Sequence, residues 1–104
     1  MKSILQDMSE PRCFLCGATS RERLDKHHVF FGTSGRAASE KYGLTVLLCH
    51  RHCHLDGVHA DRDLDIYLKR LAQKKAMRHY EWDTREWLSH FNKNFLTEDD
   101  YDTN

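Results

Sequence analysis

All four cysteines and six of the eight histidines of this 104-residue chain fall between residues 13 and 59. Such crowding of soft and borderline donors points to metal chemistry. The cysteines form two close pairs, Cys13-x2-Cys16 and Cys49-x3-Cys53, with 32 residues between them. Zinc takes four such donors in a tetrahedron, and two short pairs on two turns supply them with little backbone strain. Gly17, just after the first pair, allows the tight turn. The wider second spacing works if the chain turns helical at Cys49, because positions i and i+4 share a helix face. His52 competes with Cys53 for the fourth place, which would give a Cys3His set. Two disulfides would need an oxidising compartment. The opening stretch, MKSILQDMSEP, has neither the apolar core nor the cleavage site of a signal peptide. A structural zinc site is therefore the expectation.

A zinc site uses at most one or two histidines, so at least four remain. His27 and His28 stand in tandem on an extended segment, where adjacent side chains point to opposite faces. If the backbone bends there, one ring can hold a metal while the other holds a water. His54 and His59 follow the second cysteine pair and can reach the same cleft from the start of a helix. Phosphodiester hydrolysis suits this set. A metal ion polarises the phosphate and stabilises the leaving oxygen. A neutral imidazole takes the proton of the attacking water at near-neutral pH. His79 and His90 lie on helices away from the cluster and read as ordinary surface or core residues.

These residues need positioning elements. Residues 1–10 read as a loose leader. Residues 24–31 (LDKHHVFF) are extended, 32–43 read as a loop with one helical turn on their Gly and Ser content, and 44–48 (LTVLL) form a buried strand. The two extended segments would make a β-hairpin with a long loop. From residue 61 the period changes. Leu64, Leu68 and Leu71, widened by Tyr67 and Ala72, make one face of a helix over 61–79, capped by Asp61 or Asp63. Asp83-Thr-Arg-Glu86 has the pattern of a capping box and opens a helix over 83–96, with Trp87, Leu88, Phe91 and Phe95 on one face. Trp82 and Trp87 read as core residues rather than platforms for nucleobases. Residues 97–104 form an acidic tail that frays. The fold class is α+β, with one domain over 11–96.

The string HHVFFGTSGRAASEKYGLTVLLCHRHCHLDGVH, preceded by Cys-x2-Cys-Gly, resembles the HNH endonucleases, the zinc-stapled members of the His-Me finger (ββα-metal) nucleases. It is similar to small HNH-type proteins of bacteriophages and prophages, over roughly residues 11–80. The resemblance implies a zinc-stapled ββα-metal core followed by C-terminal helices, and a metal-dependent DNA endonuclease. It implies His28, followed by Val29, as general base, and His27 as a ligand of the catalytic divalent metal, where the family usually has Asp. His54 fills the closing position of the motif if Cys53 ligates zinc; His59, in Gly57-Val58-His59, is the other candidate. Two departures stand out. The family's central Asn would fall about five residues before Cys49, where Leu44 stands. A neutral ligand in place of Asp also shifts preference from Mg²⁺ toward Mn²⁺, Ni²⁺ or Zn²⁺. Asp25, Asp56 and Asp61 are the carboxylates that could compensate.

DNA is the implied partner, yet the chain carries no net charge. The neutrality is a sum: residues 1–52 carry +3 and residues 53–104 carry −3. Arg21, Arg23, Lys26, Arg36, Lys41 and Arg51 supply the basic front, with Arg36 in the Gly-rich loop and Lys26, Lys41 and Arg51 as further phosphate contacts. The Lys69–Arg78 run reads as a solvated helix face. Modest, structure-led DNA binding is expected. The longest apolar run, Leu44 to Cys49, is too short to span a membrane, and the resemblance implies the cytoplasm of a bacterial or phage-infected cell. The rival readings are a non-catalytic zinc module that binds nucleic acid or protein, and a small metal sensor or regulator, for which no helix-turn-helix signal is present.

Overall fold

The order of elements is β1 (Leu24–His28), α1 (Thr33–Tyr42), β2 (Thr45–Cys49), a π-helix (His50–Val58), α2 (Arg62–Tyr80) and α3 (Thr84–Phe91). This computed structural model describes residues 1–20, 22–97 and 100. Arg21 and most of the acidic tail (98, 99 and 101–104) lie outside the described residues. β1 and β2 pair antiparallel, with Leu24 opposite Cys49, His27 opposite Val46 and His28 opposite Thr45. The fold is a small α+β arrangement, a two-stranded sheet clasped by helices.

The connection between the strands corrects the sequence expectation. Residues 32–43 hold a ten-residue helix, not a loop with one turn. Gly and Ser look like loop formers, but here they pack. Gly35 lets α1 press against the chain at Phe30, where an added Cβ would meet the Phe30 carbonyl carbon at 3.2 Å. Ser39, fully buried, donates to the Phe30 carbonyl and accepts from its N–H (2.8 and 3.0 Å). Tertiary contacts outweigh the low helix propensity of these residues.

The leader is not loose either. Residues 1–10 lie along the free edge of β2. Ser3 Oγ donates to the Thr45 carbonyl (2.5 Å), Ile4 N–H to the Gly43 carbonyl (2.9 Å), and Gln6 Oε1 accepts from Leu47 N–H (2.8 Å). An exposed strand edge needs such partners.

α2 starts where expected. Asp61 caps it, accepting from the N–H groups of Asp63 and Leu64. Its buried line is Leu68, Ala72, Ala76 and Gln73, while Tyr67, expected in the apolar stripe, is exposed. α3 ends at Phe91, not at 96, with Asn92 in the left-handed conformation as its C-cap. Asp83 accepts from Glu86 N–H, but the Glu86 carboxylate turns to Ser89 instead of closing the capping box. Trp87 is fully buried and Leu88 exposed. Trp82 stacks on His90, 4.4 Å between ring centres, at the margin of the core. Gln73 holds the chain after α3, donating to Asn94 Oδ1 and accepting from Phe95 N–H (2.8 Å each). Among the described residues, no helix is long and apolar enough to cross a membrane.

Candidate functional site

The thiols come first. Cys13 and Cys16 sit on a turn that Gly17 closes with φ 77°, its N–H donating to the Cys13 carbonyl (2.8 Å). Cys49 ends β2 and Cys53 lies one turn into the π-helix. The four Sγ atoms lie within 4.8 Å of one another, and Cys16 and Cys49 Sγ are 3.9 Å apart. A disulfide needs about 2.05 Å. A tetrahedron with Zn–S bonds of 2.3 Å has edges of about 3.8 Å. The spacing matches the second geometry, so the cluster is compatible with a structural zinc. His52 is exposed and outside this cluster; its backbone N–H and that of Arg51 donate to Glu22 Oε1 (3.0 and 2.7 Å). The donor chemistry fits as well. Burial would raise the Cys13 thiol, but backbone N–H groups of Cys16, Cys49 and Leu15 outweigh it and bring it down to about 7. Burial and the neighbouring sulfurs push Cys53 up. Four adjacent thiols cannot all ionise unaided, and a dication supplies the missing charge.

The imidazoles form a second group. His27, His54 and His59 place ligating nitrogens within 4.8 Å of one another. His27 comes from β1, the other two from the π-helix and its C-cap. The wide helix is what joins them. In an α-helix, residues five apart lie roughly 140° apart around the axis. In a π-helix the i→i+5 hydrogen bond spans one turn, and here His59 N–H donates to the His54 carbonyl (3.1 Å). The two rings then stand 4.7 Å apart, each within 5.3 Å of His27. His27 is 2% exposed and its Nε2 has no hydrogen-bond partner. A buried polar atom without a partner costs about 1–3 kcal/mol. Burial, followed by the neighbouring His54 and His59, drives the His27 pKa down to about 3. Burial and His54 lower His59 likewise. His27 thus stays neutral, which is the form that ligates metals. A lone pair with nothing to accept from, facing two further imidazoles, fits a divalent metal.

His28 points the other way, as the pleat requires. Its Nε2 lies 2.8 Å from Glu40 Oε2, and the other Glu40 oxygen accepts from Lys26 Nζ (2.8 Å). These bonds, Lys26 first, hold the Glu40 carboxyl down to about 2. The sequence reading missed Glu40 because it treated 32–43 as a loop. A helix there would have put Arg36 and Glu40, four apart, on one face.

One open cleft of about 460 Å³ collects these groups. It wraps round the end of β1, so His27 and His28 both line it despite facing opposite ways, together with His54, His59, Lys26 and Arg36. Lys41 and Arg51, expected beside them, do not line it. Lys41 instead lies 5.4 Å from the Tyr42 ring centre, and Arg51 is exposed. Within the basic run of α2, Lys69 pairs with Asp65 (2.8 Å) and lies over the Phe31 ring, and Arg70 donates to the Phe95 carbonyl. Arg70, Lys74, Lys75 and Arg78 are nonetheless exposed, as a solvated helix face requires, and Lys69 alone of the run is half-buried.

The carboxylates considered for metal binding separate. Asp56 is exposed on the π-helix, and Asp61 is the α2 cap. Asp25 sits on the His27 face of β1, with Oδ2 2.6 Å from His50 Nδ1 and 2.9 Å from His54 Nδ1. Leu44, where the HNH resemblance expects an Asn, is fully buried, its carbonyl accepting from Val29 N–H (3.1 Å). Comparison with protein-family models, with curated proteins and with solved structures gives no match for this chain.

Proposed function

We propose that this chain is a metal-dependent DNA endonuclease of the HNH type, hydrolysing phosphodiester bonds with His28 as general base in a zinc-stapled ββα-metal core. The observation that carries the reading is the shared cleft. Three imidazole donors stand on one side of the β1 end and a carboxylate-bound histidine on the other. A divalent ion held by His27, His54 and His59 would polarise the scissile phosphate and stabilise the leaving oxygen. With Glu40 accepting a proton from Nε2, His28 keeps its lone pair on Nδ1 and takes the proton of the attacking water there. Glu40 then stabilises the imidazolium that forms. It takes over the orienting task for which the family's Asn is absent. Lys26 and Arg36 supply positive charge to the phosphates of the bound strand. An all-imidazole set favours Mn²⁺, Ni²⁺ or Zn²⁺ over Mg²⁺. The family reading carries with it a phage or prophage origin and action on DNA in the cytoplasm.

A second reading, a zinc-binding nucleic-acid or protein interaction module without chemistry, is favoured by Leu44, an apolar core residue at the motif's polar position. Plasmid DNA decides between them. Incubated with Mn²⁺, Ni²⁺ or Mg²⁺, the protein should convert supercoiled plasmid to nicked and linear forms. His28→Ala should lose this by roughly 10²–10⁴-fold with its fold intact. Absence of cleavage with all three metals on double- and single-stranded DNA selects the binding module.

A further inference from the structure

Asp25, His50 and His54 form a third group with ligating atoms within 4.8 Å, adjoining the imidazole trio through His54. Two roles are open to it: a second metal position, or a hydrogen-bonded support for the first. Distances and charge decide. Tetrahedral donors bound to one ion at 2.0–2.2 Å stand about 3.3–3.6 Å apart. Asp25 Oδ2 and His50 Nδ1 are 2.6 Å apart, which is a hydrogen-bond separation. A permanent cation is also already present. Arg23 Nε is 3.1 Å from Asp25 Oδ1, and Arg23 Nη2 is 3.0 and 3.4 Å from the two nitrogens of the His50 ring. Contact with both nitrogens of one ring places the guanidinium against the ring rather than on a single lone pair. A dication among these groups would face that charge at contact distance.

We infer that Asp25 is a positioning residue rather than a metal ligand: it accepts the Nδ1 proton of His54 and thereby turns the His54 Nε2 lone pair toward His27 and His59. The geometry has all three parts. His54 Nδ1 is 2.9 Å from Asp25 Oδ2, His54 Nε2 is 3.1 Å from His59 Nε2, and Asp25 shares the face of β1 that carries His27. A carboxylate behind a metal-binding histidine fixes its tautomer and ring orientation and raises its basicity. His50 and Arg23 hold Asp25 in turn, so the carboxylate arrives oriented. The inference rests on the His27–His54–His59 metal reading proposed above.

The test has two readouts. Long-range ¹H–¹⁵N spectra of the imidazoles in the zinc-loaded protein, without other metal, should show His54 as the Nδ1–H tautomer. In Asp25→Ala that preference should be lost. Co²⁺ titrated into the protein carrying one equivalent of Zn²⁺ should bind about 10- to 100-fold more weakly in Asp25→Ala. Asp25→Asn retains an oxygen acceptor and should recover part of the difference. An Nε2–H tautomer in the wild type overturns the inference, as does equal Co²⁺ affinity in wild type and a folded Asp25→Ala. Failure of the wild type itself to take up Co²⁺ overturns the metal reading and this inference together. The two failures are therefore distinguishable.

Discussion

The thiol cluster and the imidazole cluster are both candidate metal sites, and they differ in almost every physical respect. The thiols come as four donors from two short-spaced pairs, three of them buried. Their set is closed, which is the mark of a structural site. The imidazoles come as three donors from two elements, opening on a cleft that also holds a carboxylate-bound histidine. Three protein donors with room for a further ligand is the arrangement of a catalytic site. The two clusters share the π-helix: Cys53 lies near its start, His54 follows, and His59 caps its end. A small chain can thus use one metal to hold the element that presents a second.

That dependence should run one way, and removal of the thiols tests it most harshly. Structural zinc contributes about 10–16 kcal/mol in small metal-folded domains, against a typical total stability of about 5–15 kcal/mol. Cys49→Ser, or stripping with a strong chelator, should therefore abolish the cooperative thermal transition and both metal sites with it. A folded, metal-free chain with an unchanged transition would break the comparison at its root. His27→Ala should do the converse. Zinc content by elemental analysis stays at one per chain, and Co²⁺ uptake at the cleft is lost.

Glu40 sharpens the catalytic side. Glu40→Gln should reduce plasmid nicking by about tenfold, or ~1.4 kcal/mol of barrier, a smaller loss than that of His28→Ala, and should lower the melting temperature at pH 7. The same carboxyl gives a pH signature. Lys26 and His28 lower it from 4.5 to about 2 in the folded chain. The folded state therefore holds this proton less tightly than the unfolded state. Its stabilising contribution is complete above about pH 4.5 and is lost as the pH falls to about 2. The melting temperature of Glu40→Gln should fall less than that of the wild type across this window. Parallel curves would remove Glu40 from its pairing with Lys26 and His28. The smallest effect belongs to Arg36→Ala. It should weaken DNA binding a few-fold and reduce the slope of log affinity against log salt by about 1. An unchanged slope would place the phosphate contacts elsewhere.

Chemistry that depends on local spacing was legible in the sequence. The Cys pairs, the Gly17 turn, the Asp61 and Asp83 caps and the Leu64–Leu68 face are all set by residues within a turn or two of one another, where backbone geometry alone dictates proximity. The opposite facing of His27 and His28 follows from the strand pleat in the same way. The tertiary structure decided everything that depends on a second element. Helix α1 forms because Gly35 and Ser39 pack on Phe30, against their propensity, and only that helix brings Glu40 to His28. The first residues are held by the open edge of β2, which no local pattern announces. His54 and His59 converge because the segment is π-helical rather than α-helical, and Asp25 meets His50 and His54 only once β1 lies against it. Periodicity reports how a chain faces itself over a few residues. Packing and hydrogen-bond satisfaction decide which of those faces meet.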